Sequence, residues 1–334
     1  MSKASSLARL AHTLALLPRW RILVHERPDG DALGGGSALV CWGKTLGKDV
    51  LWGGPDPISP PYDAFLSMSC EYRAYEELPK EWLRDDTAII VIDTSAPSRS
   101  VRGIEDGVSP ATLINVDHHG DNTKFGDVVY VDDKASATSE ILWDLAEAGG
   151  WRPCIEACIG VYTGIVTDCG HFTYANTTPN AHRVAARLLE LGVKPQELDK
   201  RINSKGSVKE LHLWGKAYSR VTLIGGGRVA FTWLSDDDFQ ELGVSRYSTE
   251  GLANELVKVN GVDVGMLLTE EGDCVRVSFR AKGKTSVREL AQRLGGGGHP
   301  QAAACKLHLS LSEAIDLIKE EVERLYARPF APGR

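Results

Sequence analysis

No apolar run in this chain approaches the ~20 residues that a membrane-spanning helix requires, so no membrane partner is expected. Positive charge is not in excess either. The formal net charge of −7 argues against a surface built to hold long duplex or single-stranded nucleic acid. A small anionic substrate stays open, because bound divalent cations would reverse the local sign. Paired cysteine spacing is missing as well. The seven cysteines are scattered, and Cys154 and Cys158 fit one buried helix face better than a zinc site. That usage suits reduced thiols in a cytoplasm. No cleavable leader is expected, since Leu7, Leu10, Leu14 and Leu17 recur at helical spacing and predict an amphipathic first helix. There is no complete phosphate-binding loop. Gly43-Lys44-Thr45 has Ala38 where the required glycine would stand, and Gly283-Lys284-Thr285 has Ser278, which excludes a Walker-type triphosphatase. Internal repeats and low-complexity tracts are also lacking.

What is present is a set of short apolar runs that end in carboxylates and imidazoles. Arg21 to Val24 leads into His25-Glu26-Arg27-Pro28-Asp29-Gly30-Asp31. Thr87 to Ile92 ends at Asp93, and Ala111 to Val116 ends at Asp117-His118-His119. Further strands are expected at Asp49 to Trp52 and Val128 to Val131. Helices are expected over 32–47, 137–148 (Ser136 as cap), 154–167, 179–191 and 195–203, with a short helical turn over 98–104. Strands alternating with helices predict an α/β domain built on a doubly wound, mostly parallel sheet, with ligands at the carboxyl ends of its strands. At 334 residues there is room for a second domain. We place the catalytic domain at 1–203, a linker helix at 204–220, and a smaller α+β domain at 221–330. The smaller domain would hold a hairpin through Gly225-Gly226-Gly227, a strand pair 262–269 and 274–280, a helix 286–294, a strand 305–309 and a closing helix 311–326.

Singly, an aspartate after a strand is most simply a turn or helix cap, and a lone histidine a hydrogen-bonded structural residue. The combination is different. Asp29, Asp31, Asp93, Asp117 and Asp168, with His25, His118 and His119, would crowd carboxylates whose like charges raise one another's pKa. Protons or divalent cations must neutralise them, and a set rich in oxygen and imidazole without thiolate suits manganese, magnesium or a similar ion. The glycines Gly34, Gly35 and Gly36 at a helix start suggest close backbone approach, either to a phosphate at the positive helix end or to a packed neighbour.

His25-x-x-Pro28-Asp29-Gly30-Asp31-Ala32-Leu33-Gly34, Asp93, Asp117-His118-His119 and Asp168, in that order, resemble the DHH phosphoesterase superfamily. Gly295-Gly296-Gly297-Gly298-His299-Pro300-Gln301-Ala302-Ala303 is similar to the glycine-rich motif of its DHH-associated C-terminal domain. The resemblance spans nearly the whole chain and is nearest to the nanoRNase and pAp-phosphatase (NrnA) type. It implies two divalent ions, manganese first with magnesium or cobalt as alternatives. His25 and Asp29 would hold one ion, and Asp31, His118 and Asp168 the other, with Asp93 between them. Asp117 would orient the ring of His118, and His119 would meet the scissile phosphate. Arg280, Gly295, Gly296, Gly297, Gly298 and His299 would clamp the substrate, the glycine amides forming an anion nest. The implied activity is hydrolysis of short oligoribonucleotides, or of 3′-phosphoadenosine 5′-phosphate (pAp), by a homodimer. Cyclic-dinucleotide hydrolysis and a RecJ-like nuclease remain as alternatives, although the latter would bring an extra oligonucleotide-binding domain. A pyrophosphatase or exopolyphosphatase would lack the Gly295–His299 run, and a nucleotide sensor without catalysis would not need the full ligand set. Cys169, His171 and the Gly35-Gly36 pair depart from the family pattern without touching a predicted ligand.

Overall fold

The computed structural model describes residues 3–58, 62, 71–202, 207–283, 285–298 and 300–326. The chain divides into two compact units, Met1–Ser204 and Lys205–Arg334. The boundary segment 203–206 and His299 lie outside the described residues. No described helix is long and apolar enough to cross a membrane.

Among the described residues the first unit holds a parallel sheet of six strands: β1 (Arg19–Leu23), β2 (Asp49–Gly54), β3 (Tyr72–Ala74), β4 (Thr87–Ile92), β5 (Thr112–Asp117) and β6 (Val128–Val131). Their order is β3-β2-β1-β4-β5-β6. The strand order reverses between β1 and β4, which pair in parallel from Arg19↔Thr87 to Leu23↔Val91. That reversal opens a crevice beyond the carboxyl ends of both strands. The apolar runs are nearly continuous because both faces of the sheet are covered. Ile22, Ile90, Ile92, Ile114 and Val116 join one core, whereas Leu23, Ile89, Val91 and Leu113 join another with Trp82, Val101 and Ile104. The expected helical turn over 98–104 is a single 3-10 turn, Pro97–Arg99.

The helices of this unit are α1 (Lys3–Leu16), α2 (Gly30–Thr45), α3 (Thr138–Ala148), α4 (Ile155–Asp168), α5 (Pro179–Glu190) and α6 (Pro195–Ile202). All three glycines of 34–36 are buried in α2, and their purpose is packing. A Cβ on Gly34 would strike the carbonyl oxygen of Gly160, one on Gly36 the ring of Trp52, and one on Gly35 the side chain of Leu142. The reading of this run as a phosphate cradle is therefore corrected: protein atoms occupy the space. Helices α2 and α4 cross at Gly34 and Gly160, and the same close approach puts Gly30 against Thr167 and Gly164 against Asp31. The first turn of α2 and the last turn of α4 thus meet, bringing Asp31 and Asp168 to one place. Ser136 is not the cap of α3. Ala137 occupies that position, and Ser136 instead donates its hydroxyl to the buried Glu140 carboxylate at 2.5 Å.

The second unit contains α7 (Val208–Ser219), β7 (Thr222–Ile224), β8 (Val229–Leu234), α8 (Asp236–Leu242), α9 (Leu252–Leu256), β9 (Val264–Glu271), β10 (Cys274–Ala281), α10 (Arg288–Arg293), β11 (Gly297–Gly298), β12 (Ala302–Leu307) and α11 (Leu311–Tyr326). Its sheet runs β11-β12-β10-β9-β8-β7, antiparallel except for β8 beside β9. The expected linker helix is α7. It begins at a capping box formed by Ser207 and Glu210 and packs Leu213, Trp214 and Ala217 against Leu234, Phe239 and Leu267. It belongs to the second unit's core.

Replacing Gly34 by alanine should force α2 and α4 apart and cost about 1–3 kcal/mol, as overpacking does. Gly215, in α7 with nothing near an added Cβ, should accept alanine with no loss and a gain of up to about 1 kcal/mol. Urea unfolding of the two variants beside the parent measures the difference.

Candidate metal centre

Asp29 closes the loop after β1 and caps α2, its Oδ1 accepting from the amides of Asp31 at 3.0 Å and Ala32 at 3.2 Å. The ordinary reading of that aspartate as a cap is correct, and it is not the whole account. Asp29 Oδ1 also lies 3.9 Å from His25 Nε2, and the same nitrogen lies 3.5 Å from Asp93 Oδ2. Asp93 ends β4 with φ of 51°, a left-handed conformation that non-glycine residues rarely hold. This turn keeps its carboxylate at the rim, and Thr138 Oγ1 donates to it at 3.1 Å. Beyond β5, His118 Nε2 stands 3.7 Å from Asp93 Oδ1 and 3.5 Å from Asp168 Oδ2. Asp31 is 1% exposed and accepts from the first amides of α3, Thr138 N at 2.6 Å and Ser139 N at 2.9 Å. Asn176 of the loop after α4 donates to Asp168.

The donor atoms fall into three groups: His25, Asp29 and Asp93; Asp31, His118 and Asp168; Asp93, His118 and His119. All six residues expected as ligands come together, and Asp93 and His118 each serve two groups. The donor set fits divalent cations: carboxylate oxygens and imidazole nitrogens, no thiolate, and more negative charge than the rim can hold alone. The imidazoles are prepared for this. His25 Nδ1 lies 2.6 Å from the Glu26 carbonyl oxygen, and His118 Nδ1 lies 3.4 Å from that of Ala135. A backbone carbonyl fixes the proton on Nδ1 and leaves Nε2 to face the carboxylates, as in histidines that bind metals.

His119 is held differently. Its Nδ1 bonds Asp117 Oδ1 at 2.7 Å. The expectation that Asp117 orients the His118 ring is therefore corrected. The two imidazoles pack edge to face with centroids 4.6 Å apart, and the ring whose Nδ1 reaches the Asp117 carboxylate is that of His119. Toward His118, Asp117 Oδ1 only accepts the backbone amide, at 2.8 Å. Asn122, which belongs to none of the sequence motifs, bonds Asp117 Oδ2 at 2.6 Å, Asn115 Oδ1 at 2.9 Å and the Thr94 carbonyl at 3.1 Å. A fully buried asparagine in an otherwise apolar strand, Asn115, was the available signal. Thr138 and Ser139 were also missed, because nothing in sequence ties a helix start to a carboxylate 107 residues earlier.

Burial pushes Asp31 up to about 7, helped by Asp93 and opposed by His118. Burial likewise raises Asp168 well above the carboxylate range. Asp93 is desolvated too, yet its neighbours His25, His119 and His118 hold it below its ordinary value. His119 loses by burial but is carried up to about 9 by Asp117 and Asp93.

In the second unit, Arg280 donates to the Phe279 carbonyl at 2.9 Å. The glycine run does not form four open amides. Gly295 and Gly296 donate to the Gln292 and Ala291 carbonyls that end α10, and Gly297 and Gly298 pair with Ala304 and Ala303. The expected nest is corrected to a helix stop followed by a sheet edge. Gly296 is required there because a Cβ would strike the Ala304 carbonyl.

Residues 19–167 match the DHH family, N-terminal domain, and residues 226–327 match the DHHA1 domain. The chain is 35% identical to the bifunctional oligoribonuclease and PAP phosphatase NrnA of Thermus thermophilus, over 92% of this chain and 90% of that protein. It is 30% identical to the protein of the same name from Bacillus subtilis, over 95% and 97%. In fold it is similar to an exopolyphosphatase-related protein from Bacteroides fragilis, with TM-score 0.90, 22% identity and 97% of each chain covered. It also resembles RecJ of Thermus thermophilus in complex with Mn2+, with TM-score 0.55, 15% identity, and 100% of this chain and 56% of that one covered.

The titrations give a signed expectation for protein held in a chelator. Asp31, raised from 3.8 to about 7, is protonated in both states below 3.8. It destabilises the fold progressively as pH rises from 3.8 through about 7, because the unfolded chain releases its proton first. His119, raised from 6.5 to about 9, stabilises below 6.5 and loses that contribution as pH rises through about 9. Melting temperature should therefore fall between pH 5 and pH 9 in chelator, and added Mn2+ should flatten the fall. A pH-independent melting temperature in chelator would contradict this. Separately, Asn122→Ala should release Asp117 and lower kcat about 10- to 100-fold, the usual range for groups that orient ligands, with little change in KM.

Proposed function

Because the chain belongs to the DHH family and carries a DHHA1 domain, we propose that it is a metal-dependent phosphoesterase. In this reading it hydrolyses short oligoribonucleotides to mononucleotides and pAp to AMP. The observation that carries the reading is the set of three donor groups that share Asp93 and His118 at one sheet rim. The names of the Thermus and Bacillus relatives support the substrate class, and the negative overall charge favours short substrates over long strands.

His25 and Asp29 would hold one divalent ion and Asp31, His118 and Asp168 a second, with Asp93 shared. Manganese is the first candidate, and magnesium and cobalt are the alternatives. When bound, such ions supply positive charge to the phosphoryl oxygens and acidity to a water. The chain's own groups do the rest. Asp93 is fixed by its left-handed backbone and by Thr138, so little reorganisation is needed when charge develops. His119, pinned at Nδ1 by Asp117, offers Nε2 to a phosphate or leaving oxygen and delivers a proton there. In the second unit, Arg280 forks onto a phosphate, while Gly297, Gly298 and His299 meet the nucleotide. Among the described residues six cysteines are free thiols, which supports action in the cytoplasm.

Product analysis on labelled RNA of two to twenty nucleotides, beside pAp, a cyclic dinucleotide and pyrophosphate, tests the reading. With Mn2+, RNA below about five nucleotides and pAp should be consumed fastest. Asp93→Ala and His118→Ala should each lose at least about 10³-fold in kcat, near 4 kcal/mol. Equal slow turnover by parent and variants would remove catalysis from the account.

A further inference from the structure

Away from the rim, a cluster of nucleophilic side chains takes no part in the chemistry above: Cys41, Cys154 and Cys158, all in or against the main core of the first unit. Helices α2 and α4 run in opposite directions, since Gly30 meets Thr167 while a Cβ on Gly160 would meet Gly34 and Ser37. One turn on from Ser37 along α2 stands Cys41. Counting back from Gly160 along α4 leads to Cys154, at the position that caps this helix. The crossing that joins Asp31 to Asp168 at one end of the helix pair thus brings two thiols together at the other.

The two thiols differ in character. Cys41 is 8% exposed, whereas Cys154 is half-buried and flanked by the exposed Pro153, Ile155 and Glu156, so a small molecule can reach it. The Cys41 thiol donates a hydrogen bond to the Cys154 sulfur. That bond above all brings Cys154 down to about 6, against its burial and with help from the Ala157 amide. The positive end of a fourteen-residue helix favours the same charge. Near neutral pH Cys154 is therefore largely thiolate, the nucleophilic form. Burial pushes Cys158, Cys169 and Cys305 each up to about 11, which keeps them protonated and inert. Among the described residues no group of three metal donors includes a cysteine, so a metal does not account for the pair.

We propose that Cys154 and Cys41 are a peroxide-responsive pair, Cys154 the attacking sulfur and Cys41 the resolving one, whose disulfide staples α2 to α4. The Cys154 thiolate attacks one oxygen of hydrogen peroxide. The O–O bond breaks as an S–O bond forms, and the departing hydroxide takes the Cys41 proton and leaves as water. The Cys41 thiolate then attacks the sulfenic sulfur, and the S–O bond breaks as the S–S bond forms, releasing a second hydroxide. Two electrons have passed from the two sulfurs to the peroxide. A link between residues 41 and 154 constrains the unfolded chain and holds the helix pair on which the rim depends. A dithiol reductant reverses it.

The test uses reduced full-length protein in chelator, treated with one equivalent of hydrogen peroxide, then digested and mapped by mass spectrometry without reduction. A Cys41–Cys154 crosslink should form and dithiothreitol should remove it, with Cys154 consumed at least about tenfold faster than Cys158, Cys169 or Cys305. In Cys41→Ser, Cys154 should stop at the sulfenic acid, trapped by dimedone, and Cys158→Ala should leave the crosslink intact. The oxidised parent should unfold at a higher urea concentration than the reduced parent, and Cys154→Ser should unfold alike after either treatment. The parent's own map needs no variant, so a variant that fails to fold leaves the test standing. A crosslink from Cys154 to any other cysteine, oxidation of Cys154 no faster than that of the three protonated thiols, or a urea midpoint that does not rise with the crosslink would overturn the staple.

Discussion

Like charges crowded at the edge of a sheet repel, and the architecture of the first unit is arranged to hold them there. Asp29, Asp31, Asp93 and Asp168 reach one rim from the start of α2, the end of β4 and the end of α4. Each is restrained by something other than a cation. Asp29 accepts the amides of its own helix, and Asp31 accepts those of the next helix. Asp93 is trapped by a left-handed backbone and a threonine hydroxyl, and Asp168 is held by Asn176. Packing between helices provides the force. Glycine-to-glycine contact between α2 and α4 leaves Asp31 and Asp168 no freedom to separate, and core burial on both faces of the sheet makes that contact stable.

The three histidines divide by the partner of Nδ1. His25 and His118 point it at backbone carbonyls, which leaves Nε2 of each facing the rim carboxylates. His119 gives it to a buried carboxylate, which makes it cationic and suited to an anion. One motif, Asp117-His118-His119, therefore supplies both kinds, because His118 Nδ1 faces the Ala135 carbonyl and His119 Nδ1 the Asp117 carboxylate while both rings reach Asp93.

Much of this was legible in the sequence. Thr87–Ile92 has the expected limits because burial on both faces leaves an unbroken apolar run between polar ends, and Val128–Val131 has its expected limits as a less buried strand at the sheet edge. The family motif named the acidic and imidazole residues that meet, since their order along the chain follows the strand order around the reversal at β1 and β4. Other features were set by contacts distant in sequence. Gly34 to Gly36 look alike whether they face a phosphate or a helix, and only the position of Gly160 decides. The glycines of 295–298 advertise open amides until the end of α10 takes those of Gly295 and Gly296 and β12 pairs with Gly297 and Gly298. Short helices such as Leu252–Leu256 carry too little periodicity to be seen.

The two amides at the head of α3 tie the backbone to the charge state of the rim. Asp31 is their acceptor, so the dipole of an eleven-residue helix ends on a rim carboxylate and favours its ionised form. Whatever neutralises that carboxylate also alters how firmly the helix is anchored. The protection of the Thr138 and Ser139 amides against solvent deuterium is therefore coupled to the state of the rim, and a reporter of occupancy is already built into the backbone.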